Sequence, residues 1–259
     1  LAAAGMGGML VWGALSIMLG VRTSVQTVSS RRLGQNKTKE CIKALNNGFI
    51  MASIYSVPVS LLCWFFGFII IPLFVIDEIT TPLAISYFSI SSLGLFFNSI
   101  SFVFQGFFTG IEKTKVLLSV TISSNIINVY FNIGLIYGKN FISKVSVDNL
   151  GEFFDISVFW FWARFDGFGV TGAAIGTLIA SAWMMFHYYI YLNRQEIIKN
   201  NKGIINVGFD KNMLIKQIKL SVPMGIQEMM IAIGWSVFYK IMAIIGIIEL
   251  ATTQLLFTI

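Results

Sequence analysis

The chain has 259 residues, of which 56% are hydrophobic and 12% charged, and its formal net charge at pH 7 is +6. This apolar composition excludes most soluble enzymes and predicts an integral membrane protein. In such a protein, a polar residue inside an apolar stretch is a candidate for function.

Apolar stretches recur along the whole chain. Because about 20 apolar residues cross a bilayer as a helix, we place spans at residues 4–28, 44–75, 83–109, 115–137, 168–192 and 220–247, with a seventh beginning near 249. The run at residues 64–76 has no strand-like alternation, which disfavours an outer-membrane β-barrel. The sequence therefore predicts an all-α fold, a polytopic transmembrane helix bundle.

The connectors between these spans alternate in charge. If the connector after the first span is cytoplasmic, the connectors on that side hold thirteen of the eighteen lysines and arginines, and those on the other side hold three. This bias is typical of the positive-inside rule. We therefore expect a multi-pass protein of the inner (plasma) membrane, whose basic residues contact anionic lipid rather than nucleic acid.

Few residues are available for metal or disulfide chemistry. The two cysteines, Cys41 and Cys63, lack metal-ligand spacing, and His187 is the only histidine. We expect no disulfide between the cysteines and no metal cofactor. Because Leu1 and Ile259 both lie in apolar runs, we also expect the chain to be a piece of a longer protein.

Two connectors are long. Residues 138–167, on the outer side, are rich in phenylalanine and tryptophan, and they either cap the bundle at the interface or form a lid over a ligand. Residues 193–219, on the inner side, are polar and basic and predict a linker between two helical lobes. The end of this linker, residues 213–219, is amphipathic, so we expect it to lie on the membrane surface.

Several connectors and helix ends carry motifs in a characteristic order. They are QTVSSRRLGQ at 26–35, GIEKTK at 110–115, NIINVYFN at 125–132, FGVTGAAIGT at 168–177 and PMGIQ at 223–227. In order and spacing these motifs resemble the second to seventh helices of multidrug and toxic compound extrusion (MATE) transporters. The resemblance covers nearly the whole chain, and it implies a fragment from about the second helix to the start of the eighth.

The resemblance implies most of one six-helix lobe and the beginning of a second, repeat-related lobe. Residues 1–192 would form the first lobe without its first helix, residues 193–219 the cytoplasmic inter-lobe linker, and residues 220–259 the start of the second lobe.

The resemblance also implies a secondary active transporter, not an enzyme, that exports organic and often cationic compounds by antiport with H⁺ or Na⁺. No cofactor beyond this coupling ion is implied, and we expect a monomer. Two alternatives stay open: a flippase for lipid-linked oligosaccharides and a non-transporting membrane scaffold.

Two charged residues of the span at 220–247 are candidates for ion or substrate binding. Glu228 lies one to two turns inside the span, where a desolvated carboxylate can exchange protons near neutral pH. MATE relatives carry a seventh-helix glutamate with this role; alternatively, Glu228 meets Lys219 or reaches the interface. Lys240 lies twelve residues further, about 18 Å along the helix, so it cannot pair with Glu228. It pairs with another acid, contacts an anionic substrate or snorkels outward.

Polar residues in other spans are candidates for an interior cavity. Asn125, Asn128 and Asn132 fall at steps of three and four, on one face of a helix. They either hydrogen-bond between helices or line a substrate or ion cavity. Asn132 stands where some MATE relatives have an aspartate, and its neutral side chain weakens a proton site in this lobe. Further candidate cavity residues are Gln26, Asn98 and Gln105.

Overall fold

The computed structural model describes residues 2–74, 78–150, 156–201, 203, 207–246, 248–249, 252–253 and 256. Its α-helices are α1 (Ala2–Gly34), α2 (Thr38–Ile70), α3 (Thr80–Gly110), α4 (Thr114–Leu150), α5 (Gly169–Arg194), α6 (Glu196–Lys199) and α7 (Lys211–Ile245). Short 3₁₀ helices follow α2 (Ile71–Leu73) and α4 (Ile156–Trp160). The described residues contain no β-strand, which confirms the predicted all-α class.

All of these helices except α6 are long and apolar enough to cross a membrane, which makes six candidate spans. They correspond to the first six spans predicted from the sequence and confirm the polytopic helix bundle. The helices extend beyond the predicted apolar stretches; α1, for example, continues through Arg31 and Arg32, because helical hydrogen bonding does not stop where the hydrocarbon core ends. The predicted seventh span, from residue 249, lies largely outside the described residues.

Helix α1 is central in the bundle. It packs along α3 and along α7, while α2 packs against both α1 and α3. Helix α5 contacts both α3 and α4, so α4 lies at the edge. Helices α1 and α3 run parallel, because Gly7 faces Tyr87 near one end and Gly106 meets the backbone of Arg22 near the other. This agrees with the chain order, since consecutive spans alternate in direction.

Two hydrophobic clusters fill the interior. In the inner half, the fully buried Tyr188 of α5 stacks on Phe104 and Phe108 of α3, at ring-centroid distances of 5.7 and 5.9 Å. In the outer half, Phe88 and Leu95 of α3 belong to a cluster with residues of α1. Many large apolar side chains of α2 stay exposed, as expected where a helix faces lipid tails.

The aromatic connector on the outer side folds back onto α4. Tyr130 is its anchor: its backbone oxygen accepts a hydrogen bond from Trp160 Nε1 (2.7 Å), and its hydroxyl oxygen accepts one from Trp162 Nε1 (2.8 Å). Helix α4 is interrupted at Gly138, where a φ of 70° and the close backbone of Phe165 exclude a residue with a Cβ. The connector therefore packs on α4, and its role as a cap or as a lid stays a prediction. The break at Gly138 coincides with the predicted start of the connector, and a second helical segment follows it up to residue 150.

The linker and the start of α7 are held against α2. Asn47 is fully buried; its amide donates to the Asp210 carbonyl (3.1 Å) and accepts from the Asp210 backbone N–H (3.2 Å). Gln217, also fully buried, donates to the Ala44 carbonyl (3.1 Å). Helix α7 therefore begins directly after Asp210 and is continuous. The prediction of a separate surface segment at residues 213–219 is wrong, because these residues form the first turns of α7.

Candidate functional site

A cleft opens within the bundle between α1, α3, α5 and α7. Its larger part, with a volume of about 490 Å³, is lined mainly by small residues of α1 and by aromatic rings. A smaller part, of about 210 Å³, extends between α1, α3 and α5. Gly8, Trp12 and Tyr87 line both parts. The two parts therefore adjoin each other at these residues, and we call them together the intramembrane cleft.

Small residues of α1 create the space for this cleft. Ala4, Gly5 and Gly8 line its larger part. Gly7, beside them, allows α3 to approach, because a Cβ on Gly7 would lie 2.8 Å from Tyr87 Cδ1. Residues without large side chains thus bring the helices close at one point and leave an open volume beside it.

Four aromatic rings form the walls of the intramembrane cleft. Trp12 comes from α1, Tyr87 from α3, and Trp235 and Tyr239 from α7. The two tryptophans are 38% and 37% exposed, so their rings remain accessible to a ligand. Aromatic rings provide flat apolar surface and a negative face that attracts organic cations.

The smaller part of the intramembrane cleft has a polar surface. Asn98 of α3 donates hydrogen bonds to the Gly94 carbonyl (2.9 Å) and to Ser181 Oγ of α5 (3.0 Å). Ser91 also lines this part, and its buried hydroxyl has no hydrogen-bond partner among the described residues. Neutral amides and hydroxyls can orient a ligand without the cost of a buried charge. Asn98, a predicted cavity residue, therefore lines this part of the cleft.

The charged candidates of α7 do not line the intramembrane cleft. Glu228 is half-buried, between Gly225 and Ala232, which both face α1. It lies about 10 Å along the helix from the nearest cleft residue of α7, and it forms no ion pair among the described residues. Lys240 is exposed, and its ammonium lies 5.9 Å from the centroid of the Phe74 ring. The two charges are therefore apart, as their spacing predicts.

The asparagines of α4 lie at its contact with α5. Asn132 Nδ2 donates to Asn128 Oδ1 (3.0 Å). Asn132 Oδ1 is buried against Gly176 and has no hydrogen-bond partner among the described residues. Asn125, by contrast, is exposed. The structure therefore joins Asn128 and Asn132 at a helix–helix contact that is separate from the intramembrane cleft.

Gln26 and Gln105 lie in the inner half of the bundle. Gln105 is beside the buried hydroxyl of Tyr188. Gln26 is half-buried on α1, and its backbone carbonyl packs on Gly110 of α3. Because residues seven positions apart lie on nearly the same face of a helix, Gln105 continues the polar face of Asn98 inward from the cleft.

The aromatic walls are the part of this site that sequence reasoning missed. Trp12 and Tyr87 occur in apolar stretches, where aromatic residues are common. The sequence around them therefore does not identify them as cavity residues. The available signal was the run of small residues at Ala4, Gly5 and Gly8, directly before Trp12. Small residues in a span indicate a close helix contact or a gap next to one.

Both the sequence and the fold resemble known proteins. The sequence model of the MatE family matches residues 1–133. The fold matches an inward-facing multidrug resistance MATE family transporter of the MOP superfamily, with a TM-score of 0.77 and 15% identity, over 98% of this chain and 52% of that one. It also matches a MATE protein in complex with MaD3S, with a TM-score of 0.69 and 16% identity, over 92% of this chain and 47% of that one.

The chain spans about half the length of these two structures. At such low identity the likeness is one of fold. No curated protein matches the sequence.

Proposed function

Because the chain belongs to the MatE family, we propose that it forms part of a secondary active transporter, with residues 1–192 in a first lobe and residues 220–259 at the start of a second. The transporter exports organic and xenobiotic compounds in exchange for H⁺ or Na⁺. It acts as a monomer in the inner (plasma) membrane and uses no cofactor beyond the coupling ion. Family membership also agrees with the prediction that the chain is not an enzyme.

The intramembrane cleft is the observation that carries this proposal. Its larger part, about 490 Å³, has the size of a small-molecule site. The aromatic walls suit flat organic compounds, and the negative faces of the rings favour compounds with a positive charge. Asn98 and Ser181 supply polar groups that can orient a bound compound.

The position of the cleft supports transport by alternating access. Helices α1, α3 and α5 belong to the proposed first lobe, whereas α7 begins the second, and all four line the cleft. Rocking of one lobe against the other would change the separation of Trp12 and Trp235, and with it the affinity for a compound. An ion that binds one arrangement better biases the equilibrium between the two. We assign this ion to Glu228, the half-buried carboxylate of α7.

The test uses the full-length protein in proteoliposomes, with the flux of ethidium measured under an imposed H⁺ or Na⁺ gradient. Wild type is expected to move ethidium against its own gradient when one of the two ions is supplied. Trp235→Ala removes one wall of the cleft and is expected to raise the KM for ethidium about tenfold.

Trp64→Ala is the matched control. Trp64 is 43% exposed on α2, away from the cleft, so this variant should change the KM by less than about twofold. The absence of ethidium flux under both gradients would refute organic-cation antiport and favour the flippase or the scaffold.

A further inference from the structure

A second cleft lies at the end of the bundle where α1, α3 and α5 finish. It has a volume of about 490 Å³, and its lining comes from the α1–α2 turn, the α3–α4 turn and the segment around α6. The charge bias of the connectors makes this end the cytoplasmic one. We call it the basic cleft.

Two cations that form no ion pair with a described residue lie in the basic cleft. Lys113, in the α3–α4 turn, and Arg194, the last residue of α5, both line it and are both exposed. Neither forms an ion pair with another described residue. Among the described residues of the lining, Glu196 is the one acidic residue, so positive charge is in excess there. An excess of unpaired cations at a membrane surface attracts an anionic group.

The rest of the lining combines aliphatic and neutral polar side chains. Leu33, Ile111 and Ile197 are its aliphatic members, and all three belong to the hydrophobic cluster of the inner half or pack against it. Thr38 and Asn200 add groups that can form hydrogen bonds. Cations next to aliphatic surface match a ligand in which a phosphate is attached to an apolar body.

We propose that the basic cleft binds the phosphate headgroup of an anionic phospholipid from the inner leaflet. Lys113 and Arg194 bind the phosphate, and the aliphatic residues contact the glycerol backbone and the start of the acyl chains. The membrane supplies this ligand at high local concentration, because the cleft lies where the spans meet the headgroup layer. A bound lipid also connects the segment after α5, through Asn200, to the ends of α1 and α3.

Native mass spectrometry of the full-length protein tests this proposal. Titration with phosphatidylglycerol or phosphatidylcholine gives the dissociation constant of the tightest-bound lipid. Lys113→Gln and Arg194→Gln should each weaken phosphatidylglycerol binding about fivefold, the effect of one basic residue near an anionic headgroup. Phosphatidylcholine binding should not change.

A third variant distinguishes an effect of charge on lipid binding from damage to the fold. Glu196→Gln removes the one negative charge of the lining, so it should tighten phosphatidylglycerol binding by about fivefold. Damage to the structure cannot produce this opposite change, because a disrupted cleft would bind the lipid more weakly. Phosphatidylglycerol binding by Glu196→Gln that is unchanged or weaker would overturn the proposal.

Arg31→Gln combined with Lys216→Gln is the matched control. Both residues are exposed cations of the cytoplasmic side, and neither lines the basic cleft. The proposal is overturned if this control weakens lipid binding as much as Lys113→Gln with Arg194→Gln, because the effect would then be a diffuse one of surface charge. It is also overturned if inorganic phosphate, without lipid, binds with the same dependence on Lys113. The lipid-binding measurement does not depend on transport activity. A negative result would therefore contradict the lipid proposal without contradicting the transport proposal.

Discussion

Polar side chains inside the helices of this protein fall into two classes. Some form hydrogen bonds with each other, as Asn98 does with Ser181. Ser123 and His187 form another such pair, with an Oγ–Nδ1 distance of 2.6 Å. Others are half-buried with no ion pair to a described residue, and Glu228 is the acidic example. A carboxylate in a membrane-spanning helix is costly unless it meets a partner. Glu228 is therefore the residue at which we expect ion binding.

Glu228→Gln keeps the size of the side chain and removes its charge. We expect gradient-driven ethidium flux to fall by at least about tenfold, because coupling requires an ion to bind and leave at this carboxylate. Equilibrium binding of ethidium should stay within about twofold of wild type, because Glu228 lies outside the cleft lining. Glu78→Gln, at an exposed position outside the spans, is the control. Undiminished coupled flux in Glu228→Gln would assign the coupling site to another residue.

Asp210 makes the start of α7 sensitive to pH. Its carboxylate caps the helix by accepting a hydrogen bond from the Met213 N–H (3.0 Å), and Lys43 Nζ lies 3.5 Å from its Oδ2. The hydrogen bond from Met213, and then the charge of Lys43, hold the pKa of this carboxyl below its usual value. The stabilisation is therefore complete above the unfolded-state pKa of about 4, and it is lost as the pH falls through the lower folded-state value.

We expect Asp210→Ala to lower the free energy of unfolding by about 1 kcal/mol at pH 7. The difference from wild type should shrink as the pH falls below about 4, because the carboxyl of the unfolded state is then protonated before the native one. Chemical denaturation in detergent, at pH 7 and at a pH below about 4, measures the loss of stability and its dependence on pH. Asp210→Asn retains a side chain that caps well, so it should lose less stability at pH 7. Equal destabilisation by the two variants would contradict a capping role.

At the scale of whole helices, small residues set how closely α1 and α7 approach. A Cβ on Gly20 would lie 2.7 Å from the backbone nitrogen of Gly225, and a Cβ on Gly13 would lie 4.0 Å from Ala232 Cβ. Lipid tails are as apolar as the side chains they touch, so burial of apolar surface does not favour a neighbouring helix over lipid. Close van der Waals packing is therefore what holds α7 against α1.

Gly20→Ala tests this contact. The added methyl group meets backbone atoms of α7 that cannot rotate away, so we expect a loss of about 1–3 kcal/mol and a lower apparent Tm in detergent. Gly234→Ala on α7 is the matched control, because a Cβ at this position meets no atom within 4 Å. Since alanine favours a helix over glycine, the control should keep or raise the Tm. A Gly20→Ala variant as stable as wild type would show that this contact does not hold the helices together.

At the scale of the whole molecule, α7 is joined to the other helices at two levels. Asn47 and Gln217 hold its first turns on α2. Its second half provides Trp235 and Tyr239 to the intramembrane cleft, opposite α1. A shift of α7 would therefore alter its contacts with α2 and the cleft together, which is the kind of coupling that the proposed alternating access requires.

A disulfide can test whether α1 and α7 separate during transport. The Cβ separation of 4.0 Å between positions 13 and 232 is within the range of disulfides. With the native cysteines replaced by alanine, Gly13→Cys with Ala232→Cys should cross-link on oxidation and lose ethidium flux, and a reductant should restore it. Gly13→Cys with Gly234→Cys should not cross-link, because a Cβ at position 234 meets no atom within 4 Å. Full flux through the cross-linked protein would exclude separation of these helices.

The sequence predicts the fold of this protein more completely than it predicts the site. The span predicted at residues 4–28 lies inside α1, and each of the other five complete predicted spans corresponds to one helix. The start of α7 was predicted about nine residues too late, because its first turns are polar and depend on the Asp210 cap and on buried hydrogen bonds to α2. Of the polar candidates, Asn98 lines the cleft, whereas Asn128 and Asn132 bond to each other.

The sequence by itself determined that this protein is a bundle of membrane-spanning helices. It could do so because a chain that crosses lipid has only its own backbone for hydrogen bonding, so a long apolar stretch without strand-like alternation forms a helix. Only the tertiary structure decided that Trp12, Tyr87, Trp235 and Tyr239 line one cleft. A helix in lipid is apolar on nearly all sides, so its sequence lacks the amphipathic pattern that would distinguish the face toward a neighbour from the face toward a cavity.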